Sequence, residues 1–150
     1  PITVIWLVGM ANAINWIDGL DGLAAGVSGI AAVVMLIVSL SMNQPAAALI
    51  AAALAGGTLG FLRYNFNPAQ IFMGDGGAYL LGFTLAELAV LLIYRNPSVS
   101  AWAVFSLLAY PVFETLFSMY RRKFIHKAVT GHPDALHLHQ LIFIKIIRNC

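Results

Sequence analysis

Residues 22–62 read GLAAGVSGIAAVVMLIVSLSMNQPAAALIAAALAGGTLGFL, 41 consecutive positions without a formal charge between Asp21 and Arg63. A helix crosses the hydrocarbon core of a bilayer in about 20 residues, so the run is long enough for two crossings. Asn43-Gln44-Pro45 divides it. The pattern predicts a helix over 23–42, a short polar turn, and a second helix over 46–62 with Pro45 near its start, which together make an αα-hairpin. Ala51, Ala55, Gly56, Gly57 and Gly60 suit close helix packing in lipid.

Working outward, two more apolar runs cover 77–94 and 98–120, separated by Arg95-Asn96-Pro97, and residues 1–14 read as the end of an earlier crossing. The expected fold is all-α: a polytopic transmembrane bundle of about five crossings. None of the runs alternates with the period of a strand, and only helices or closed barrels satisfy their backbone in lipid. Composition agrees, since 61% of the 150 residues are hydrophobic and 9% are charged. A soluble domain carries about 25% charged residues. Disorder, a disulfide scaffold and a nucleic-acid binder are excluded by the high hydropathy, the lone Cys150 and the lack of a basic face. Residues 1–150 read as a single transmembrane domain without internal repeats, and Pro1, already in an apolar run, reads as part of a longer chain.

With five crossings, the loops after the first, third and fifth share one side. That side holds Arg63, Arg121, Arg122, Lys123 and Lys127, whereas the opposite turns hold only Arg95. The positive-inside rule puts the odd loops in the cytoplasm. They also carry Asp18, Asp21, Asp75 and Asp134, together with His132, His137 and His139.

Three constellations carry chemistry. In Asn12-Ala13-Ile14-Asn15-Trp16-Ile17-Asp18-Gly19-Leu20-Asp21-Gly22, a continuous helix would place Asn12, Asn15, Asp18 and Asp21 in one row at the membrane boundary. Such a row invites Mg²⁺, with phosphate oxygens completing its shell. By spacing alone, the Asp-Gly pairs serve equally as turn residues that end a helix. In Asn65-Phe66-Asn67-Pro68-Ala69-Gln70-Ile71-Phe72-Met73-Gly74-Asp75-Gly76-Gly77, the glycines allow close backbone approach, and a helix beginning near Gly77 would aim its amides at an anion. Asp75 would alternatively be a simple N-cap. In the third, Gly131-His132-Pro133-Asp134-Ala135-Leu136-His137-Leu138-His139, an extended segment would point His137 and His139 the same way, toward phosphate or metal. Glu87 and Glu114 fall inside expected crossings and are assigned no role in catalysis.

Together these blocks resemble the polyprenyl-phosphate N-acetylhexosamine-1-phosphate transferase family, which includes the undecaprenyl-phosphate GlcNAc-1-phosphate transferases and the phospho-N-acetylmuramoyl-pentapeptide transferases. The first match runs from Asn12 to Gly26 and the second from Asn65 to Asp75. The resemblance covers the later half of a typical member. It implies transfer of an N-acetylhexosamine 1-phosphate from a UDP-sugar to undecaprenyl or another polyprenyl phosphate, with Mg²⁺, at the cytoplasmic face of a bacterial inner membrane. Such a step initiates a lipid-linked glycan of the cell wall or of lipopolysaccharide O-antigen. By motif match, Asp18, Asp21 and Asp75 would be catalytic, with Asp18 and Asp75 holding the metal. Asn12, Asn15, Asn65 and Gly74 would bind the nucleotide sugar, and His137 and His139 its phosphate or sugar. The resemblance is compatible with a homodimer.

The family's histidine loop commonly reads D-R-x-H-x-H-H, but here Ala135 stands for the arginine and Gln140 for the last histidine. That favours the hexosamine-phosphate branch over the muropeptide branch. The family also uses an upstream Asp-Asp pair that residues 1–150 lack, so the isolated chain is expected to be inactive. The competing reading is a degenerate member or a cation pathway.

Overall fold

The computed structural model describes residues 1–121, which form six helices and no strand. The helices are α1 (Ile2–Ile17), α2 (Leu23–Ser41), α3 (Pro45–Asn65), α4 (Gly74–Arg95), α5 (Ala101–Leu107) and α6 (Ala109–Arg121). The expected helical bundle is therefore observed. Three helices, α2, α3 and α4, are long and apolar enough to span a bilayer. At 1.5 Å per residue, the 16 residues of α1 cover about 24 Å, short of a core about 30 Å thick.

Local chemistry explains the boundaries. Pro45 occupies the first turn of α3, where its missing N–H costs nothing, and Gly22 enters α2 from a left-handed conformation (φ 74°). Ser100 caps α5 by accepting from the Trp102 backbone N–H at 3.2 Å. The expected continuous crossing over 98–120 is corrected: α5 and α6 meet at a 69° bend at Leu108. Pro111 supplies the reason. It has no N–H to give the Leu107 carbonyl, and its ring crowds that same group.

Packing follows the small residues. Ala47, Ala51, Ala55 and Thr58 are buried along α3 and Ala24, Ala25, Ser28, Gly29 and Ala32 along α2, and the two helices pack together with Gly29 against Thr58. Lipid provides no hydrophobic drive between helices, so seams of this kind hold through close contact and dispersion. The α1 and α4 helices form a second antiparallel pair beside the first, and α6 lies against α1. Large apolar side chains such as Ile37, Leu40, Leu49 and Leu80 point outward, the inverse of a water-soluble surface.

The alternation of helix direction gathers the polar connections at two ends. Ser98 donates to the Met42 sulfur at 3.8 Å, so the α2–α3 turn and the α4–α5 turn lie together. Asp18, Asp21, Asn65 and Asp75 meet at the opposite end.

Candidate functional site

The site is built from three chain segments. α1 ends at Ile17, and Asp18 is its C-cap, with its backbone N–H bonded to the Asn15 carbonyl at 3.3 Å. Asn15, in the last turn, reaches across to α4, where its Nδ2 donates to Asp75 Oδ1 at 3.0 Å. Sixty positions of sequence separation close in that contact. α4 begins at Gly74 (φ 68°), earlier than the expected Gly77. Asp75 thus lies inside the first turn and is not the N-cap. The unpaired amides of that turn favour a carboxylate and leave donors for an anionic ligand. A Cβ placed on Gly74 or Gly76 would meet nothing within 4 Å, so this backbone is open to close approach.

Asp18 is half-buried and Asp75 is exposed. Burial, and secondarily the charge of Asp75, pushes the Asp18 carboxyl up to about 6 from 3.8. A carboxylate held in an unfavourable charge state beside a second carboxylate is relieved by a cation. No cluster of three or more His, Cys, Asp or Glu side chains converges among the described residues. Two carboxylates with one open side still fit Mg²⁺, which uses one or two carboxylates and fills its remaining positions with water and substrate phosphates.

The expected row Asn12-Asn15-Asp18-Asp21 does not survive folding. The helix stops before Asp18, and Asp21 turns toward a different segment. Its Oδ2 accepts from the Ala69 backbone N–H at 3.0 Å and from Asn67 Nδ2 at 3.3 Å. Asp21 therefore anchors the loop that leads to Asp75, whereas the motif match places it in catalysis. Asn12 donates from Nδ2 to the Val8 carbonyl of its own helix at 2.8 Å.

Asn65 is likewise tied to neighbouring segments. It is 2% exposed, its Oδ1 accepts from the Gly22 backbone N–H at 3.0 Å, and its Nδ2 donates to the Ile71 carbonyl at 3.0 Å. Both ends of the amide brace the two site loops. Sequence reasoning missed the partners Asn67 and Ala69, which only folding brings to Asp21. Asp134, His132, His137 and His139, with Arg122, Lys123 and Lys127, lie outside the described residues.

A bundle of apolar helices that brings Asp18 and Asp75 together at one end, with Asp75 held by Asn15, defines a multi-pass membrane protein with an acidic site at the ends of its helices. The family described as Glycosyl transferase family 4 matches residues 1–93, and the chain belongs to it. It is 41% identical over 140 residues to a protein of Bacillus subtilis named "Probable undecaprenyl-phosphate N-acetylglucosaminyl 1-phosphate transferase", covering 93% of this chain and 39% of that one. It is 55% identical over 56 residues to the phospho-N-acetylmuramoyl-pentapeptide-transferase of Symbiobacterium thermophilum, covering 37% of this chain and 17% of the relative. A Thermoanaerobacter protein of the same name is 50% identical over 91 residues, 61% of this chain and 29% of the relative. The chain thus spans well under half the length of these relatives.

Proposed function

We propose that this chain is the carboxylate-bearing part of an enzyme that transfers an N-acetylhexosamine 1-phosphate from a UDP-sugar to a polyprenyl phosphate at the cytoplasmic face of a bacterial plasma membrane. The observation that carries the reading is the Asn15–Asp75 hydrogen bond, which joins the two motif blocks beside Asp18. An oxygen of the lipid phosphate attacks the phosphorus that bears the sugar. The bond from that phosphorus to the bridging oxygen breaks, UMP leaves with the electron pair, and a lipid diphosphate sugar remains.

Asp18 and Asp75 would hold Mg²⁺, which when bound supplies positive charge to offset that building on the diphosphate. Asn15 orients Asp75, Asp21 and Asn65 hold the two loops in register, and the amides at the start of α4 receive a phosphate oxygen. His137 and His139 are assigned to phosphate or sugar. An apolar groove of about 500 Å³ between α1 and the α5–α6 pair, lined by Trp6, Met10, Phe105, Val112 and Met119, suits the polyprenyl tail. The proposal extends to the isolated chain of 150 residues, which inserts but does not catalyse.

The test is transfer of label from UDP-N-acetylhexosamine into the lipid fraction by the intact protein, with Mg²⁺ titrated. Asp18→Asn and Asp75→Asn keep shape and remove charge. Each should lower turnover by about 10²-fold or more, the scale of losing one preorganised charge at a reacting centre. Turnover like that of the wild type in either variant removes that residue from the metal site, and no transfer by the wild type from any UDP-N-acetylhexosamine points to a degenerate member.

A further inference from the structure

Asn15 and Asp18 sit at the end of α1, and Asp75 sits at the start of α4. The spacing of the carboxylates is therefore set by how α1 and α4 pack along their length. Three contacts define that packing: Trp6 Nε1 donates to the Ala86 carbonyl at 3.2 Å, Gly82 rests on the α1 backbone at Met10 and Ala11, and Asn15 bonds Asp75. They follow one antiparallel register, with numbers rising on α1 as they fall on α4.

The middle contact is the tightest. A Cβ on Gly82 would lie 2.6 Å from the Met10 carbonyl oxygen and 2.7 Å from the Ala11 Cα, both main-chain atoms that no rotamer change can move aside. Ordinary contact begins near 3.4 Å, so any side chain at position 82 must drive the two helices apart by about 0.8 Å. Elsewhere on α4, the Cβ that Gly77 would acquire meets only the flexible Met73 side chain.

We infer that Gly82, seconded by the Trp6–Ala86 hydrogen bond, is a positioning residue that sets the distance between the Asp18 and Asp75 carboxylates by fixing the approach of α1 to α4. This rests on the proposed role of the carboxylates. A displacement of about 1 Å at a reacting centre costs on the order of 10²-fold in rate. A glycine that served only to let helices associate would affect the amount of folded protein and not the rate of each folded molecule.

Two readouts in the intact protein separate these cases. An Asn15→Cys/Asp75→Cys pair reports the distance between the helix ends through its rate of oxidation to a disulfide, and it requires no activity. Gly82→Ala should slow that oxidation about fivefold or more. In otherwise wild-type protein it should lower kcat by about 10²-fold per folded molecule, with little change in KM for the sugar nucleotide. Trp6→Phe, which removes only the Nε1 donor, should change both readouts in the same direction by about two- to fivefold, and it serves if Gly82→Ala does not accumulate. Unchanged oxidation in these variants overturns the inference. Slowed oxidation with full turnover in both Gly82→Ala and Asp18→Asn upholds the geometric role and instead overturns the catalytic reading of the pair.

Discussion

Asn65 separates two accounts of the same motif, one in which its amide greets a nucleotide and one in which it holds the protein together. Truncation to alanine deletes the acceptor of the Gly22 N–H and the donor to the Ile71 carbonyl, two hydrogen bonds of 3.0 Å each, at a side chain only 2% exposed. A buried polar group left without its partner costs about 1–3 kcal/mol. Both hydrogen bonds are only part-buried, so a total of about 2–4 kcal/mol is expected, toward the lower end of that range.

At 1.4 kcal/mol per factor of ten, local opening of the two loops should become roughly 30- to 700-fold more frequent. Hydrogen exchange reads this directly at the Gly22 amide and at the Gln70 amide, which the closed loop bonds to the Tyr64 carbonyl at 2.8 Å. Turnover of Asn65→Ala should fall because the segment carrying Asp75 is no longer held, while KM for the sugar nucleotide changes little. Exchange within about threefold of the wild type at both amides, together with a raised KM, would refute the bracing role and return Asn65 to the nucleotide site.

Stability should also depend on the protonation of Asp18. Its carboxyl is raised from 3.8 to about 6, so the folded state binds more protons than the unfolded state across that interval. Stability then falls as pH rises from about 4 through about 6 and levels off above it. Melting temperatures of the intact protein in chelator across this range should show the slope, and Asp18→Asn should flatten it; an equal slope in the variant would assign the dependence to other groups. For membrane orientation, single cysteines at Asn43, Gln70 and Ser98 use positions exposed in the structure. In intact cells an impermeant thiol reagent should label the first and third but not the second, and labelling of Gln70 alone would reverse the orientation.

Much of the architecture is legible in the order of residues. A charge-free run of 41 positions has one physical outcome in a cell, because backbone groups in lipid must bond within their own segment, and Asn43-Gln44-Pro45 marks where one helix gives way to the next. The gathering of aspartates at one end also follows from counting crossings. Pro111, equally visible, breaks the last run, but its effect depends on whether neighbouring groups can re-satisfy the freed carbonyl, which the linear order does not state.

What only the tertiary structure decided is the division of labour among similar polar side chains. Asp18 and Asp21 share a motif and a following glycine, yet one meets Asn15 and Asp75 at the open face while the other accepts two hydrogen bonds from the 67–69 loop. Asn15 and Asn65 divide likewise, into a residue at the open site and one buried between loops. The reason is that the chain ends α1 one residue before Asp18, so the helical row that the spacing describes is never formed, and each carboxylate takes its role from the partner that folding brings to it. Gly82 makes the same point from the other direction: an ordinary glycine in an apolar run becomes significant only where another helix lies 2.6 Å from its missing side chain.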